Sequence, residues 1–190
     1  MKTGLFFGSF NPIHIGHLII ANTMAENTDL REVWLVVSPQ NPFKPQKGLL
    51  HEFDRFDMVE RAISDNYRLR VTDVEFHLPR PSYTVHTLTV LQEKYPEREF
   101  ALIMGSDNLL TFPKWKNYSH ILEHFSLYVY PRPGQNQSPL MEHPKVRMVP
   151  APLLDISATF IRQAIQNQQS IRYLVPEAVE TMIRVRKFYQ

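Results

Sequence analysis

The stretch FGSFNPIHIGH, residues 7–17, separates a short apolar run from a segment with helix-like spacing. It brings together glycine, serine, asparagine, proline and two histidines. A plain turn between a strand and a helix needs only a couple of these residue types. A helix start presents unpaired N–H groups and the positive end of its dipole, and it therefore suits phosphate. The surplus of polar residues predicts that this turn binds a ligand.

Three kinds of residue in the turn favour a phosphate ligand. Gly8 and Gly16 allow the backbone to approach a ligand where a Cβ would obstruct it. Pro12 stiffens the turn, which reduces the ordering entropy lost on binding. His14 and His17 add side-chain donors, and they converge if the helix begins near Gly16.

The spacing of the two histidines is H-x-G-H, and the usual phosphate-binding fingerprints are missing. The sequence contains neither GxxxxGK[ST] nor GxGxxG, so it supports neither a P-loop nor a dinucleotide-binding loop. A zinc site would need a third ligand, and the chain has no HExxH motif and no cysteine. The pair is therefore better interpreted as phosphate donors.

Apolar runs and helix-like stretches alternate along the rest of the chain. Strands are predicted at 3–7, 32–37, 69–74, 99–105, 126–132 and 145–150. Helices are predicted at 17–27, at 51–65 with Phe53, Phe56, Val59 and Ile63 at helical spacing, and from Pro81–Ser82, Ser157 and Pro176 onward. Strands separated by helices pair in parallel through right-handed crossovers. We predict an α/β fold, a doubly wound, mainly parallel sheet of five to six strands with helices on both faces.

The composition excludes several classes of protein. The 190 residues, 43% of them apolar, fit one domain over 1–190. Lys and Arg (21) nearly balance Asp and Glu (19), unlike a nucleic-acid-binding sleeve. No cysteine is present for a disulfide, thiolate site or nucleophile. No apolar run approaches the roughly 20 residues of a membrane helix, and none is typical of a signal peptide. We expect a cytoplasmic protein without membrane or nucleic-acid partners.

Several segments together resemble one enzyme family. GSFNPIHIGH looks like the signature of the H-x-G-H nucleotidyltransferases. The order and spacing of four further segments are similar to those of the bacterial nicotinate-nucleotide adenylyltransferases: PSYTVHTL, MGSDNLLTFPKW, ISATFIR and SIRYLVPEAVETMI. The similarity covers nearly the whole length. It implies a Rossmann-like nucleotidyltransferase fold whose C-terminal helical part, about 157–190, completes an ATP site.

The resemblance also implies a reaction. That family joins nicotinate mononucleotide to the AMP part of ATP with Mg²⁺, giving nicotinate adenine dinucleotide and pyrophosphate, a step of NAD biosynthesis. A phosphate monoester, with a second pKa of about 6, is largely dianionic and can attack the α-phosphorus without a general base. Catalysis then consists of alignment and charge stabilisation. The residues alone leave open a different acceptor (nicotinamide mononucleotide or phosphopantetheine), a cytidylyltransferase, a non-catalytic nucleotide-binding protein, and a homo-oligomer.

The resemblance assigns roles to fifteen positions. It implies catalytic contacts to the ATP phosphates from His14, His17, Lys44 and Arg162. It implies ATP-binding contacts from Gly8, Ser9, Phe10, Gly16, Gly105, Asp107, Ser157 and Thr159. It implies that Tyr83, Thr84 and Trp115 bind the nicotinate nucleotide, with Trp115 stacked on the pyridine ring.

Each role has a structural alternative. His14 and His17 could be helix-capping or core histidines, although a pair beside two glycines at a strand end argues against this. Lys44 could be a surface lysine, and Ser157 and Asp107 could be helix caps. Tyr83 and Thr84 could belong to the start of a helix, and Trp115 could be a core residue. The chain also departs from the family pattern at three positions: Asn11 and His86 stand where Asp is common, and Phe43 stands where His is common. His86 receives no role, and Arg132 is a weaker phosphate candidate of the same kind as Arg162.

Overall fold

The computed structural model describes residues 1–40, 48–134, 138–152 and 154–190. Within these ranges the strands are β1 (Lys2–Gly8), β2 (Glu32–Val37), β3 (Leu69–Thr72), β4 (Glu99–Gly105), β5 (Ser126–Tyr130) and β6 (Val146–Met148). The α-helices are α1 (Ile15–Asn27), α2 (Glu52–Ala62), α3 (Thr84–Lys94), α4 (Ser106–Thr111), α5 (Tyr118–His124), α6 (Ala158–Gln166) and α7 (Glu177–Arg186). Short 3-10 helices cover Val74–His77, Phe112–Lys114 and Pro139–Glu142.

The strands form one sheet in the order β3-β2-β1-β4-β5-β6, and every neighbouring pair is parallel. This confirms the predicted doubly wound α/β fold. The strand order reverses between β1 and β4, and ligands of such sheets bind beyond the carboxyl ends of the strands at this switch point. We therefore expect the ligand site among the segments that follow Gly8 at the end of β1 and Gly105 at the end of β4.

Two apolar cores cover the two faces of the sheet. Phe6 packs into a core with residues of α1, α2, α6 and α7. The adjacent Leu5 packs into a second core with residues of α3, α4 and α5. Because successive side chains of a strand point to opposite faces, the four central strands β1, β2, β4 and β5 each contribute to both cores. The continuous apolar run of β2 is buried throughout for this reason.

The structure corrects several of the predicted elements. Helix α5 was not predicted, and β5 ends at Tyr130 rather than at residue 132. In α2 the predicted apolar stripe is wrong at Phe53, which is 60% exposed, whereas Arg55 is fully buried. Helix α1 begins at Ile15, before Gly16.

None of the helices in the described part of the chain has the length and apolar character needed to cross a membrane.

Candidate active site at the switch point of the sheet

The opening loop, defined as residues 9–14, connects β1 to α1 at the carboxyl edge of the sheet. His14 is the N-cap of α1, and its N–H donates to Nδ1 of His17 at 3.3 Å. The two imidazole rings stack with their centroids 3.7 Å apart. The structure thus brings together the two histidines that the spacing predicted to converge.

Burial sets the charge of His14. The residue is only 6% exposed, and its Nδ1 has no hydrogen-bond partner among the described residues. Burial lowers the pKa of His14 to about 4, and the positive charge of Arg132 acts in the same direction. At neutral pH His14 is therefore an uncharged imidazole, which has one N–H donor and one acceptor nitrogen.

The glycines on either side of the opening loop leave room for the side chains of Phe10 and His14. Phe10 has a positive φ of 44°, and its buried ring lies edge-on to His17 at 5.1 Å. A Cβ on Gly8 would lie 2.7 Å from the Phe10 ring, and one on Gly16 would lie 3.1 Å from Nδ1 of His14. Substitution of either glycine would displace a ring of the predicted site, whether or not the backbone also contacts a ligand.

A second part of the site follows β4. Asp107 does not cap α4, and its carboxylate lies 3.7 Å from Nε of Arg132. The backbone N–H of Arg132 donates to Oγ of Ser106 at 2.9 Å. A Cβ on Gly105 would collide with Asp107 and lie 3.1 Å from the Arg132 side chain. Arg132, the weaker candidate from the sequence, is thus joined to Asp107 and is electrostatically coupled to His14.

Helix α6 contributes a third part. Ser157 is its N-cap and accepts from the N–H of Phe160 at 3.2 Å, as the structural alternative predicted. Arg162 donates through Nη2 to Oγ1 of Thr159 at 3.2 Å and through Nη1 to the carbonyl of Asn11 at 2.8 Å. The predicted phosphate contact of α6 is therefore attached directly to the opening loop.

Asn11 is a junction of the loop with two other segments. Its Nδ2 donates to the carbonyl of Gly48 at 2.8 Å, and its Oδ1 accepts from Leu50 N at 3.2 Å and from Tyr189 Oη at 2.8 Å. An amide can both donate and accept here, whereas an ionised Asp accepts only. These contacts account for the asparagine at position 11, where Asp is common in the family.

The residues predicted for the nicotinate end lie around the start of α3. Tyr83 is the N-cap and Thr84 the first residue of this helix. Trp115 is half-buried, with its ring 5.3 Å from that of Phe112. The next residue, Lys116, places its Nζ 4.6 Å from the centre of the Tyr83 ring. The exposed His86 lies edge-on to Tyr83 at 5.8 Å.

Glu75 was not singled out from the sequence. It is 2% exposed and accepts from Ser82 Oγ at 2.9 Å and from Thr87 Oγ1 at 2.8 Å. Burial raises the pKa of its carboxyl, while the hydroxyl donors oppose that rise. Glu75 therefore connects the 3-10 helix after β3 to the start of α3.

The predicted site residue Lys44 lies outside the described residues, as does Phe43, one of the departures from the family pattern. No group of three or more His, Cys, Asp or Glu side chains that could hold a metal ion is found in the parts of the chain that the structure describes.

Comparison with known proteins decides the family. The family described as cytidylyltransferase-like matches residues 5–164. The "Probable nicotinate-nucleotide adenylyltransferase" of Cytophaga hutchinsonii is 64% identical over 189 residues, covering 100% of this chain and 98% of the relative. The chain belongs to this family. The protein of the same name from Flavobacterium psychrophilum is 50% identical over 192 residues and is covered completely, as is this chain.

A solved structure supports the fold independently. The nicotinic acid mononucleotide adenylyltransferase of Plasmodium falciparum, complexed with NaAD, matches with a TM-score of 0.82 and 19% identity. The match covers 99% of this chain and 97% of that one. Membership in the nicotinate-nucleotide adenylyltransferases confirms the resemblance on which the predicted roles depend, although each role is still a prediction.

Proposed function

We propose that the protein transfers the adenylyl group of ATP to nicotinate mononucleotide, giving nicotinate adenine dinucleotide and pyrophosphate in NAD biosynthesis. The observation that carries the proposal is the group of donors at the switch point, in a chain 64% identical to a relative of that name. The opening loop supplies His14, the first turn of α1 supplies His17, and Arg132 and Arg162 supply positive charge beside them. Such a group suits a polyphosphate.

In the proposed reaction, a phosphate oxygen of the mononucleotide attacks the α-phosphorus of ATP. The new P–O bond forms as the bond to the β-phosphate oxygen breaks, and pyrophosphate leaves with that electron pair. The attacking oxygen is already charged, so no side chain has to remove a proton. The described residues hold the reactants in line and donate to the charge that develops on the leaving group.

The neutral state of His14 supports this assignment of roles. An uncharged imidazole, with its pKa lowered to about 4, can donate a hydrogen bond to a phosphate oxygen without releasing a proton at neutral pH. Arg162 is held by hydrogen bonds to the loop and to Thr159, and each Nη group has a second N–H for a phosphate oxygen. Arginine binds phosphate oxygens bidentately. Lys44 is proposed as a further cation on the basis of the family pattern alone.

The proposed ATP contacts also include backbone and side-chain groups around both strand ends. They are Gly8, Ser9, Phe10, Gly16, Gly105, Asp107, Ser157 and Thr159. Mg²⁺ is proposed as the metal that accompanies ATP, and when bound it would neutralise charge on the phosphates. This ion commonly binds through substrate phosphates and one or two carboxylates, and the exposed Asp107 carboxylate fits that donor set.

We propose that the nicotinate ring binds near Tyr83, Thr84 and Trp115. The half-buried Trp115 ring suits stacking on a pyridine ring. We also propose that residues 1–190 act as one cytoplasmic domain in which the C-terminal helical part completes the ATP site. The hydrogen bond from Arg162 of α6 to the carbonyl of Asn11 in the opening loop supports this proposal.

The direct experiment measures pyrophosphate release with ATP, Mg²⁺ and one acceptor at a time. Nicotinate mononucleotide is expected to give the highest kcat/KM, above nicotinamide mononucleotide and phosphopantetheine. Faster release with either of the other acceptors would contradict the proposed substrate. Binding of ATP without release in any reaction would indicate a non-catalytic nucleotide-binding protein.

A further inference from the structure

Arg55 of α2 is a fully buried cation beside the opening loop, with an exposed fraction of 0%. Among the described residues, its guanidinium donates four hydrogen bonds, all to backbone carbonyls. Nε donates to Leu50 at 2.9 Å, Nη1 donates to Ser9 at 2.5 Å and to Ser38 at 2.8 Å, and Nη2 donates to Pro39 at 3.2 Å. One side chain thus joins three separate segments of the chain.

Stability alone does not account for a cation at this position. Burying a charge without an opposite charge is unfavourable, and an apolar residue of similar volume is often as stabilising. Burial lowers the pKa of Arg55 to about 10, so the group is still charged at neutral pH. Carbonyl oxygens accept from four of its five N–H groups, which makes burial tolerable.

The nearby carboxylates have partners of their own. Glu52 lies 2.6 Å from a guanidinium nitrogen of Arg80. Asp54 and Asp57 lie 2.9 Å and 3.0 Å from those of Arg186. The negative charge of Glu52 still opposes the lowering of the Arg55 pKa, but the groups that accept hydrogen bonds from the guanidinium are backbone carbonyls. The cation lies beside a loop proposed to bind phosphates.

The three segments surround the edge of the proposed ATP site. Ser9 begins the opening loop, Ser38 and Pro39 follow β2, and Leu50 precedes α2. We propose that Arg55 is a positioning residue that fixes the opening loop against the end of β2, so that His14 and His17 are already aligned when ATP binds. This inference rests on the proposed adenylyl transfer and adds to it a residue that is not expected to touch the substrate.

The chain contains a matched control at the opposite edge of the sheet. Arg68 donates through Nη2 to the carbonyl of Leu30 at 2.7 Å and through Nε to that of Arg31 at 3.2 Å. These carbonyls precede β2, at the end of the strand remote from the opening loop. Arg68 also lies 3.1 Å from the carboxylate of Glu26 in the last turn of α1. Arg68→Met thus removes an arginine that ties backbone carbonyls, with all its contacts at the end of α1 and β2 remote from the opening loop.

The test compares Arg55→Met, Arg55→Lys and Arg68→Met in kcat, in KM for ATP and in thermal midpoint, with all assays well below the midpoints. Misplacement of reacting groups by about 1 Å costs roughly 10²-fold in rate, and we expect a fall in kcat of that order for Arg55→Met. Arg55→Lys keeps the charge but cannot reach all four carbonyls, and its kcat should fall by roughly 10-fold. Arg68→Met should lower the midpoint with kcat unchanged.

Amide hydrogen exchange provides a readout that does not depend on turnover. Exchange over residues 8–14 should be faster in the Arg55 variants than in Arg68→Met. Wild-type kcat in Arg55→Lys, or equal loss of activity in Arg55→Met and Arg68→Met, would overturn the inference. If Arg55→Met does not fold, Arg55→Lys decides. If the wild type releases no pyrophosphate, the proposed function fails, and unchanged exchange in Arg55→Lys would separately refute the role of Arg55.

Discussion

His14 shows how the position of a single side chain sets its chemistry. The residue caps α1 from a buried position, and burial lowers its pKa to about 4. Its partner His17 is held by the backbone N–H of His14 and by ring contacts with Phe10. The pair can therefore present donors to phosphate oxygens in a fixed arrangement, and His14 does so without a change of protonation near pH 7.

The lowered pKa of His14 predicts an acid-sensitive contribution to stability. The unfolded chain binds a proton at this residue below about 6.5, whereas the folded chain does so only below about 4. Between these values the unfolded state binds more protons, so stability falls as the pH falls, by up to about 3 kcal/mol. Urea unfolding at pH 6.5 and 4.5 measures the free energy of unfolding. Between these pH values it should fall less for His14→Asn than for the wild type. Equal losses would contradict the assignment.

His17→Ala should lower kcat by about 10²- to 10³-fold while the protein stays folded, because it removes one donor from the developing charge. The exposed His86 provides the control, and His86→Ala should leave kcat within about twofold of the wild type. Circular dichroism measures whether each variant is folded, and pyrophosphate release measures its kcat. Near-normal turnover of His17→Ala would refute a catalytic role for this histidine.

At the scale of the elements, the start of α3 is held by the 3-10 helix before it. Glu75 accepts hydroxyl hydrogen bonds from Ser82 and from Thr87, one on each side of Tyr83 and Thr84. The proposed nicotinate contacts therefore belong to a segment whose position depends on a buried carboxyl group.

Glu75→Gln should raise the KM for nicotinate mononucleotide several-fold, with little change in the KM for ATP. The amide keeps the volume but offers one acceptor oxygen in place of two, so the buried hydrogen bonds with Ser82 and Thr87 have to rearrange, and unfolding should become easier by about 1–3 kcal/mol. Glu93→Gln makes the same change on the exposed end of α3 and should alter neither quantity. A uniform change in both KM values would argue against a specific effect on α3.

The elements that sequence patterns missed have physical explanations. Helix α5 has seven residues, follows Asn117 in a left-handed conformation and has no side-chain cap, so it shows no signal of its own. In α2 the helical spacing predicted a buried Phe53. Arg55 is buried instead, because its guanidinium donates hydrogen bonds to the backbone carbonyls that surround it. The parallel sheet was predictable because its strands are continuous apolar runs.

At the scale of the molecule, contacts distant in sequence complete the candidate site. Arg162 reaches Asn11 across 151 residues, and Tyr189 reaches it across 178. The N–H of Ile15 donates to the carbonyl of Leu174 at 2.9 Å. The H-x-G-H pair could be predicted because it is local. The roles of Arg55 and Tyr189 could not, since they exist only once remote segments have packed together.

Tyr189→Phe should lower the free energy of unfolding by about 1 kcal/mol, because it removes the hydroxyl that donates to Asn11 Oδ1. Burial raises the pKa of this hydroxyl, which keeps it a neutral donor over the working pH range. Tyr173→Phe is the control, because Tyr173 is 82% exposed. Equal unfolding midpoints for the wild type and Tyr189→Phe would show that the bond contributes nothing.

The bond between Tyr189 and Asn11 also has a consequence for biosynthesis. During synthesis on the ribosome, His14 and His17 emerge early. The hydrogen bond from Tyr189 to Asn11 can form only after residue 189 has left the exit tunnel. Nascent chains stalled before this point should bind nucleotide weakly, and competence should appear abruptly once the tunnel is cleared.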